Sequence, residues 1–113
     1  MRAVNLTKNK ELARNVSVAS SMLARMKGLL GRSELKKGES LWIKPCNSIH
    51  TIGMKFPIDV VFLDSTNTVM EIKKQLPVYR ITGVYFRASS VLELPAGTLQ
   101  ETNTQIGDRI EIA

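Results

Sequence analysis

The strongest constraint on the fold of this chain is the apolar run Ile58–Leu63, which is interrupted only by Asp59. Its β-branched and aromatic residues lie between Pro57 and the turn-forming segment 65–67, which indicates a β-strand. The two-residue period of a strand divides the run into Phe56, Ile58, Val60 and Phe62 on one face and Asp59, Val61 and Leu63 on the other. Because both faces carry apolar residues, we predict a central strand that is covered on both sides.

Two polar residues in this region attract attention. Asp59 lies among apolar neighbours, so its carboxyl group loses hydration and must find a hydrogen-bond partner or take up a proton. His50 is the single histidine of the chain. Gly53 allows the chain to turn between them, and a hairpin in which His50 and Asp59 face each other is one geometric possibility.

Short strands separated by turn residues account for most of the remaining chain. The expected strands cover residues 2–6, 12–18, 41–43, 58–64, 68–74, 89–94 and 109–112, and residues 78–86 form an irregular extended segment. A helix is predicted over residues 22–27, and Thr98 and Glu101 have the spacing of a capping box around one helical turn. We therefore predict a mostly β fold, a small antiparallel β-sandwich or barrel with one N-terminal helix and a short helical turn near the C-terminus, forming a single domain over residues 1–113.

The N-terminal helix is predicted to begin after Ser20 or Ser21 and to end at Gly28 or Gly31. Its apolar residues have helical spacing, and they are Met22, Leu23, Met26 and Leu30. Such a stripe usually packs into a core, and we expect this here. The alternative is a partner-binding surface, because flexible methionine side chains adapt to varied partners.

Three segments of the chain resemble one protein family. The segment His50–Asp64, HTIGMKFPIDVVFLD, is similar to the H-T-x-G-M-x-F-x-I-D signature, followed by a hydrophobic run, of the bacterial and archaeal domain of unknown function 192 family. Segment 25–32, RMKGLLGR, resembles its R-x-x-G-L-M-x-R motif with Leu30 in place of Met, and segment 91–97, VLELPAG, resembles a third motif. The resemblance implies a compact, mostly β domain of prokaryotic origin and brings no established activity or substrate.

Charge and cysteine content restrict the classes of partner. The net charge is +6, and residues 1–57 carry 11 Lys/Arg against 3 Asp/Glu, whereas residues 58–113 carry 5 against 7. The basic residues are scattered and no aromatic residues are interleaved with them, so we expect a solvated basic face and no specific nucleic-acid binding. The lone Cys46 cannot form an internal disulfide, which fits a reducing cytoplasm.

No apolar run is long enough to span a membrane and no signal-peptide pattern begins the sequence, so we expect a cytoplasmic protein without a membrane partner. The spacing of His, Cys and carboxylate residues predicts no metal site and no cofactor. The oligomeric state is left open, although we favour a monomer.

The candidate ligand-binding residues are His50, Thr51, Met54, Asp59 and Glu93. Histidine beside a carboxylate can act as acid, base or ligand, and Asp59 and Glu93 are the carboxylates within the strongest apolar runs. The preferred hypothesis is a non-enzymatic binding module whose pocket around residues 50–59 recognises a small polar ligand or a polypeptide segment. The alternatives are an enzyme that uses His50 as a general base with Asp59 or Glu93, and an interaction domain that uses its basic face. The simplest competing explanation gives His50 a purely structural hydrogen bond.

Overall fold

The computed structural model describes all residues from Met1 to Ala113. It contains eight strands and two short helices, with the following bounds: β1 Ala3–Asn5, β2 Lys10–Ala13, β3 Asn15–Ala19, α1 Met22–Lys27, β4 Glu39–Ile43, β5 Ile58–Leu63, β6 Val69–Leu76, β7 Ser90–Pro95, α2 Thr98–Glu101 and β8 Ile110–Ile112. Neither helix has the length and apolar character that crossing a bilayer requires.

The strands form two sheets, in the orders β2-β1-β8 and β3-β4-β7-β5-β6. The mostly β fold class is therefore confirmed, and the sheets do not close into a barrel. One pairing departs from the expected antiparallel arrangement, because β3 and β4 are parallel. Their connection, residues 20–38, includes α1 and is long enough for the crossover that parallel strands require. The region 2–18 forms three strands where two were expected.

The β5 strand lies between β6 and β7 in the larger sheet, and all six of its residues are buried. Its two predicted faces are confirmed by two separate cores. Val61 and Leu63 join Ala3, Leu12 and Ile110 of the smaller sheet in the core between the sheets. On the opposite face, residues Ile58, Val60, Phe62 and Val91 pack against Leu29, Leu35 and Ile49 from the connecting segments. The side chains of β5 thus alternate between two cores, as a strand covered on both faces requires.

The α1 helix has the caps that the sequence predicts, but its apolar side chains face the solvent instead of the core. The Ser21 hydroxyl accepts a hydrogen bond from the Ala24 amide, and Gly28 closes the C-terminus with a φ of 48°. Met22, Leu23 and Met26 are 70%, 78% and 67% exposed, so the prediction that the stripe lies in the core is wrong for these three residues. The fourth residue, Leu30, is partly buried and packs against the core, as predicted. The helix is only six residues long, and it is anchored by the segment that follows it, where Leu29 is 2% exposed. Helical spacing identified the stripe but could not specify which side the protein covers.

The predicted single helical turn, α2, is confirmed, but the prediction that Thr98 and Glu101 form a capping box is wrong. Gly97 is the N-cap residue, with a φ of 99° and no side chain to accept a hydrogen bond. The Thr98 hydroxyl donates to the Pro95 carbonyl at 2.8 Å and does not cap the helix. The free amide groups at the start of α2 are bound by Asp59 of β5, a residue distant in sequence.

Candidate functional site

A cleft lies between the α1 segment, the end of β4, the middle of β7 and the loop from residue 44 to 57. We call it the Glu93 cleft. Its volume is about 80 Å³. Since a cavity of about 10–15 Å³ already holds one water, the cleft has room for several waters or for a small polar group. It is lined by Arg25, Met26, Lys27, Gly28, Leu29, Leu30, Ile43, Cys46, Ser48, Ile49, His50, Met54 and Glu93.

Glu93 is the charged group most deeply placed in this cleft. It lies on β7, where Leu92 and Leu94 point into the core between the sheets and Glu93 points to the other side, because successive side chains of a strand alternate between its faces. The residue is 3% exposed. Burial raises the pKa of its carboxyl group to about 7, and the carboxyl group makes no hydrogen bond within the protein. Glu93 is therefore a buried carboxyl group whose oxygens lack a protein donor.

Arg25 and Cys46 form part of the cleft wall near Glu93. The Arg25 Nη1 donates to the Pro45 carbonyl at 3.1 Å, while the buried Nε–H has no partner. The Cys46 thiol donates to the Ser48 carbonyl at 3.1 Å. Burial raises the pKa of the Cys46 thiol, and the Glu93 carboxylate adds to the shift. The thiol therefore stays protonated at neutral pH and is a poor nucleophile.

His50 and Met54 are the other two predicted site residues that line the cleft with Glu93. His50 is exposed, and its backbone pairs with Ile81 in an isolated antiparallel bridge. This bridge replaces the hairpin in which His50 would have faced Asp59. Met54 is 5% exposed and belongs to the core below the cleft. Because the imidazole of His50 is exposed on the cleft wall, it is free to contact a molecule that enters.

Thr51 lies next to the cleft but does not line it. It is fully buried, and its hydroxyl donates to the Pro77 carbonyl at 2.6 Å and accepts from the Arg80 amide at 2.9 Å. These bonds fasten the loop 44–57 to the loop 77–89. Thr51 therefore holds in position the backbone that presents His50, and its own polar atoms are already bound within the protein.

Replacing Thr51 with valine should destabilise the protein by about 2 kcal/mol, because the Arg80 amide and the Pro77 carbonyl lose a buried partner. This corresponds to a fall in melting temperature of about 10 °C, measured by circular dichroism. Thr66→Val is the matched control, since the Thr66 hydroxyl bonds to Asp64 on the protein surface. Its expected effect is below about 0.5 kcal/mol. Equal melting temperatures for both variants would contradict the role given to Thr51.

Asp59 lies away from the Glu93 cleft, on the side of β5 that faces the core between the sheets. Its Oδ1 accepts from the Gln75 amide at 2.7 Å, and its Oδ2 accepts from the Gly97 and Leu99 amides at 3.1 and 2.8 Å. The residue has no exposed surface. With three backbone donors on its two oxygens, Asp59 is occupied as a structural acceptor and does not orient His50.

The structure thus brings His50, Met54 and Glu93 into one cleft and leaves Thr51 and Asp59 outside it. The sequence interpretation missed Arg25 and Cys46 as cleft residues. Arg25 belongs to a segment that resembles a family motif, but nothing in the spacing indicates that α1 lies over Glu93. The nearness is visible only in three dimensions, where a Cβ added at Gly28 would lie 3.8 Å from the Glu93 Oε1.

The comparisons with known proteins agree with the resemblance. The sequence profile of the domain of unknown function 192 family, described as "Uncharacterized ACR", matches residues 4–112. The chain belongs to this family. A UPF0127 protein from Thermococcus sibiricus is 31% identical over 113 residues, which cover 96% of this chain and 72% of the relative. A UPF0127 protein from Pyrococcus horikoshii is also 31% identical, and 96% of each chain is covered.

A solved structure has the same fold at low sequence identity. It is a protein of unknown function from Novosphingobium aromaticivorans, which superimposes with a TM-score of 0.85 at 20% identity and covers 99% of this chain and 84% of its own. At this identity the likeness concerns the fold alone. The family and its relatives are uncharacterised, so any role for the Glu93 cleft has to be argued from the residues that form it.

Proposed function

We propose that residues 1–113 act as a single non-enzymatic binding module, and that the Glu93 cleft receives a small polar group of its ligand. The ligand is either a small molecule or a polypeptide segment. The observation that carries this proposal is Glu93 itself, a carboxyl group that is 3% exposed, lines a cleft and has no donor within the protein. An unpartnered buried carboxyl group destabilises a fold, and a function is a common reason for its presence.

The carboxyl group specifies the complementary chemistry of the ligand. An ionised Glu93 only accepts hydrogen bonds, so the group that enters must donate them, as an ammonium or amide group does. Arg25 calls for an acceptor in the ligand, because its Nε–H is a hydrogen-bond donor without a partner. A carboxamide satisfies both residues, since its NH₂ donates to Glu93 while its oxygen accepts from Arg25. Met26, Ile49 and Met54 provide apolar walls around this polar pair.

The surroundings of the cleft leave room for the rest of the ligand. A depression of about 380 Å³ shares Arg25, Cys46 and Ser48 with the cleft. A second, of about 270 Å³, shares Ser48 and His50 and includes Ile52 and Ile81. Together these surfaces reach the size of common ligand pockets, which are about 300–1,000 Å³. His50 lies where the cleft meets the second depression, so its exposed imidazole can contact a ligand that extends from one to the other.

A thermal-shift experiment with small probes of matched size tests this proposal. We expect acetamide and methylammonium, each at high concentration, to raise the melting temperature at pH 8, and acetate to have no effect. A ligand at about a hundred times its dissociation constant adds about 2.7 kcal/mol of stability. The effect should weaken below pH 7, because a donor group binds the ionised form of Glu93, whose pKa is about 7.

Three variants make the result specific to the cleft. Glu93→Gln should abolish the shift that methylammonium causes, and His50→Ala should reduce the response to larger amides that reach the second depression. Glu101→Gln is the control, because Glu101 is exposed on α2 and does not line the cleft. If no amine or amide shifts the wild type, or if Glu101→Gln loses the response equally, the proposal is overturned.

A second candidate function, acid–base catalysis, has one observation in its favour. A carboxyl group with a pKa of about 7 is well suited to give and take protons at neutral pH, and His50 lines the same cleft. Asp59 takes no part in it, because its oxygens are bound to backbone amides. Mass spectrometry of a bound compound after incubation separates the two candidates, since a binding module returns its ligand chemically unchanged.

A further inference from the structure

Exposed apolar side chains are concentrated in three segments of the chain. Twelve large hydrophobic residues are exposed, and eight of them belong to three segments, 21–31, 44–57 and 77–89. These eight residues are Met22, Leu23, Met26, Ile52, Tyr79, Ile81, Val84 and Phe86. Phe86 is 88% exposed and Leu23 is 78% exposed. A cluster of exposed apolar side chains on a protein surface usually marks a site that binds another protein, a ligand or a membrane.

The three segments lie side by side. The Arg25 guanidinium of the first donates to the Pro45 carbonyl of the second at 3.1 Å. The Tyr85 amide of the third donates to the Asn47 carbonyl at 2.9 Å, and the bridge between His50 and Ile81 joins the same two loops. We call the surface that the three segments form the basic apolar face.

The charges of this face have one sign. Its segments contain six basic residues and no Asp or Glu: Arg25, Lys27, Lys44, Lys55, Arg80 and Arg87. None of the six belongs to the ion pairs of the protein, which join Arg2, Lys8, Arg32, Lys36 and Lys37 to carboxylates elsewhere. The face therefore combines exposed apolar side chains with unneutralised positive charge.

We propose that the basic apolar face attaches the protein peripherally to an anionic lipid membrane. Leucine, methionine and aromatic side chains enter the boundary between headgroups and acyl chains, while lysine and arginine contact the lipid phosphates. A second copy of the chain is a poor occupant, because two faces of the same positive charge repel each other. The apolar side chains extend outward from a helix and two loops, a shape suited to insertion into a deformable surface.

The expectation of no membrane partner rested on the lack of a spanning segment, and interfacial attachment does not need one. The face shares Arg25, Met26, Ile52 and Ile81 with the Glu93 cleft and its second depression. Leu23, Phe86, Arg80 and Arg87 line neither of them, so variants at these four positions test membrane attachment separately from ligand binding.

Cosedimentation with vesicles tests the proposal. The wild-type protein should sediment with vesicles of phosphatidylcholine mixed with phosphatidylserine and stay largely in solution with phosphatidylcholine alone. Binding should weaken as salt shortens the screening length from about 10 Å at 0.1 M to about 3 Å at 1 M. Leu23→Ser and Phe86→Ser should each reduce the partition coefficient by about tenfold. Arg80→Gln and Arg87→Gln should each reduce it by about fivefold.

The control is Ile106→Ser, because Ile106 is 60% exposed but lies outside the three segments. It should change the partition coefficient by less than about twofold, and all variants should keep the wild-type circular dichroism spectrum. If the wild-type protein does not sediment with vesicles that contain phosphatidylserine, or if Ile106→Ser reduces binding as much as Phe86→Ser, the proposal is overturned. It is equally overturned if the face binds polyglutamate but no vesicle, a result that would assign it to an acidic polypeptide.

Discussion

The variant Asp59→Ala should unfold at a temperature roughly 10–20 °C below that of the wild type. The Asp59 carboxylate is fully buried and accepts hydrogen bonds from the amides of Gln75, Gly97 and Leu99. Alanine leaves these donors without a partner in a site that water does not reach. Each unsatisfied buried donor costs about 1–3 kcal/mol, so we expect a loss of roughly 3 kcal/mol or more. At about 4–8 °C per kcal/mol, small domains show this as a large fall in melting temperature.

The size of the effect follows from the three elements that Asp59 joins. The Gln75 amide belongs to a part of β6 where the register with β5 shifts, and Gln75 has a φ of 51°. The Gly97 and Leu99 amides belong to the start of α2, which has no capping side chain of its own. Asp59 therefore supplies both a bulge and a helix end with their acceptor, and its loss should loosen both.

A matched control lies just beyond the other end of the same strand. Asp64 also accepts backbone hydrogen bonds, from the Thr66 and Thr68 amides, but it does so in a partly exposed turn. Water replaces those bonds, so Asp64→Ala should cost about 1 kcal/mol. Urea unfolding monitored by tryptophan fluorescence measures both variants. A small and equal loss for the two would mean that the buried carboxylate of Asp59 is not needed to hold β6 and α2.

The local features of the fold were predictable from the sequence because local physical chemistry decides them. The β5 strand and its two faces follow from side-chain alternation, and Ser21 and Gly28 bound α1 through the ordinary chemistry of helix ends. Glu93 was recognisable as a candidate because a carboxylate inside the apolar run 91–94 must be solvated by something. In each case the decisive neighbours are within a few residues in the chain.

The remaining features depend on contacts between distant residues. Asp59 binds amides that are 16, 38 and 40 residues away, so its partners could not be read from its own segment. The orientation of α1 depends on which surface the sheet covers, and helical spacing contains no information about this. The position of Arg25 in the Glu93 cleft also depends on how α1 packs on the sheet, so the sequence did not reveal it. The sequence therefore predicted which polar residues needed partners more successfully than it predicted the partners.

The largest pH-dependent effect is expected for Glu93→Gln. Burial raises the pKa of Glu93 from its ordinary 4.5 to about 7 in the folded protein. Below pH 4.5 the carboxyl group is protonated in both states and ionisation imposes no penalty. Between about pH 4.5 and 7 the unfolded chain ionises first, so the wild-type protein loses stability as the pH rises. The loss is complete above about pH 7 and amounts to roughly 3 kcal/mol.

Glutamine has nearly the same shape as glutamate but cannot ionise, so the stability of the variant should not fall between pH 4.5 and 7 through this residue. We expect it to melt on the order of 10 °C above the wild type at pH 8 and close to it at pH 4.5. Melting curves of both proteins across this range measure the difference, in which the other carboxyl groups cancel. Glu111→Gln provides the control, because Glu111 is exposed on β8, and this variant should follow the wild-type curve. A constant difference between Glu93→Gln and the wild type at every pH would mean that the Glu93 pKa is the same in the folded and unfolded protein, so that burial does not raise it. A difference that keeps growing well above pH 7 would instead mean that Glu93 is not ionised within the folded protein. The Glu93 cleft would then present a neutral acid to its ligand, and the preference for ammonium groups would disappear.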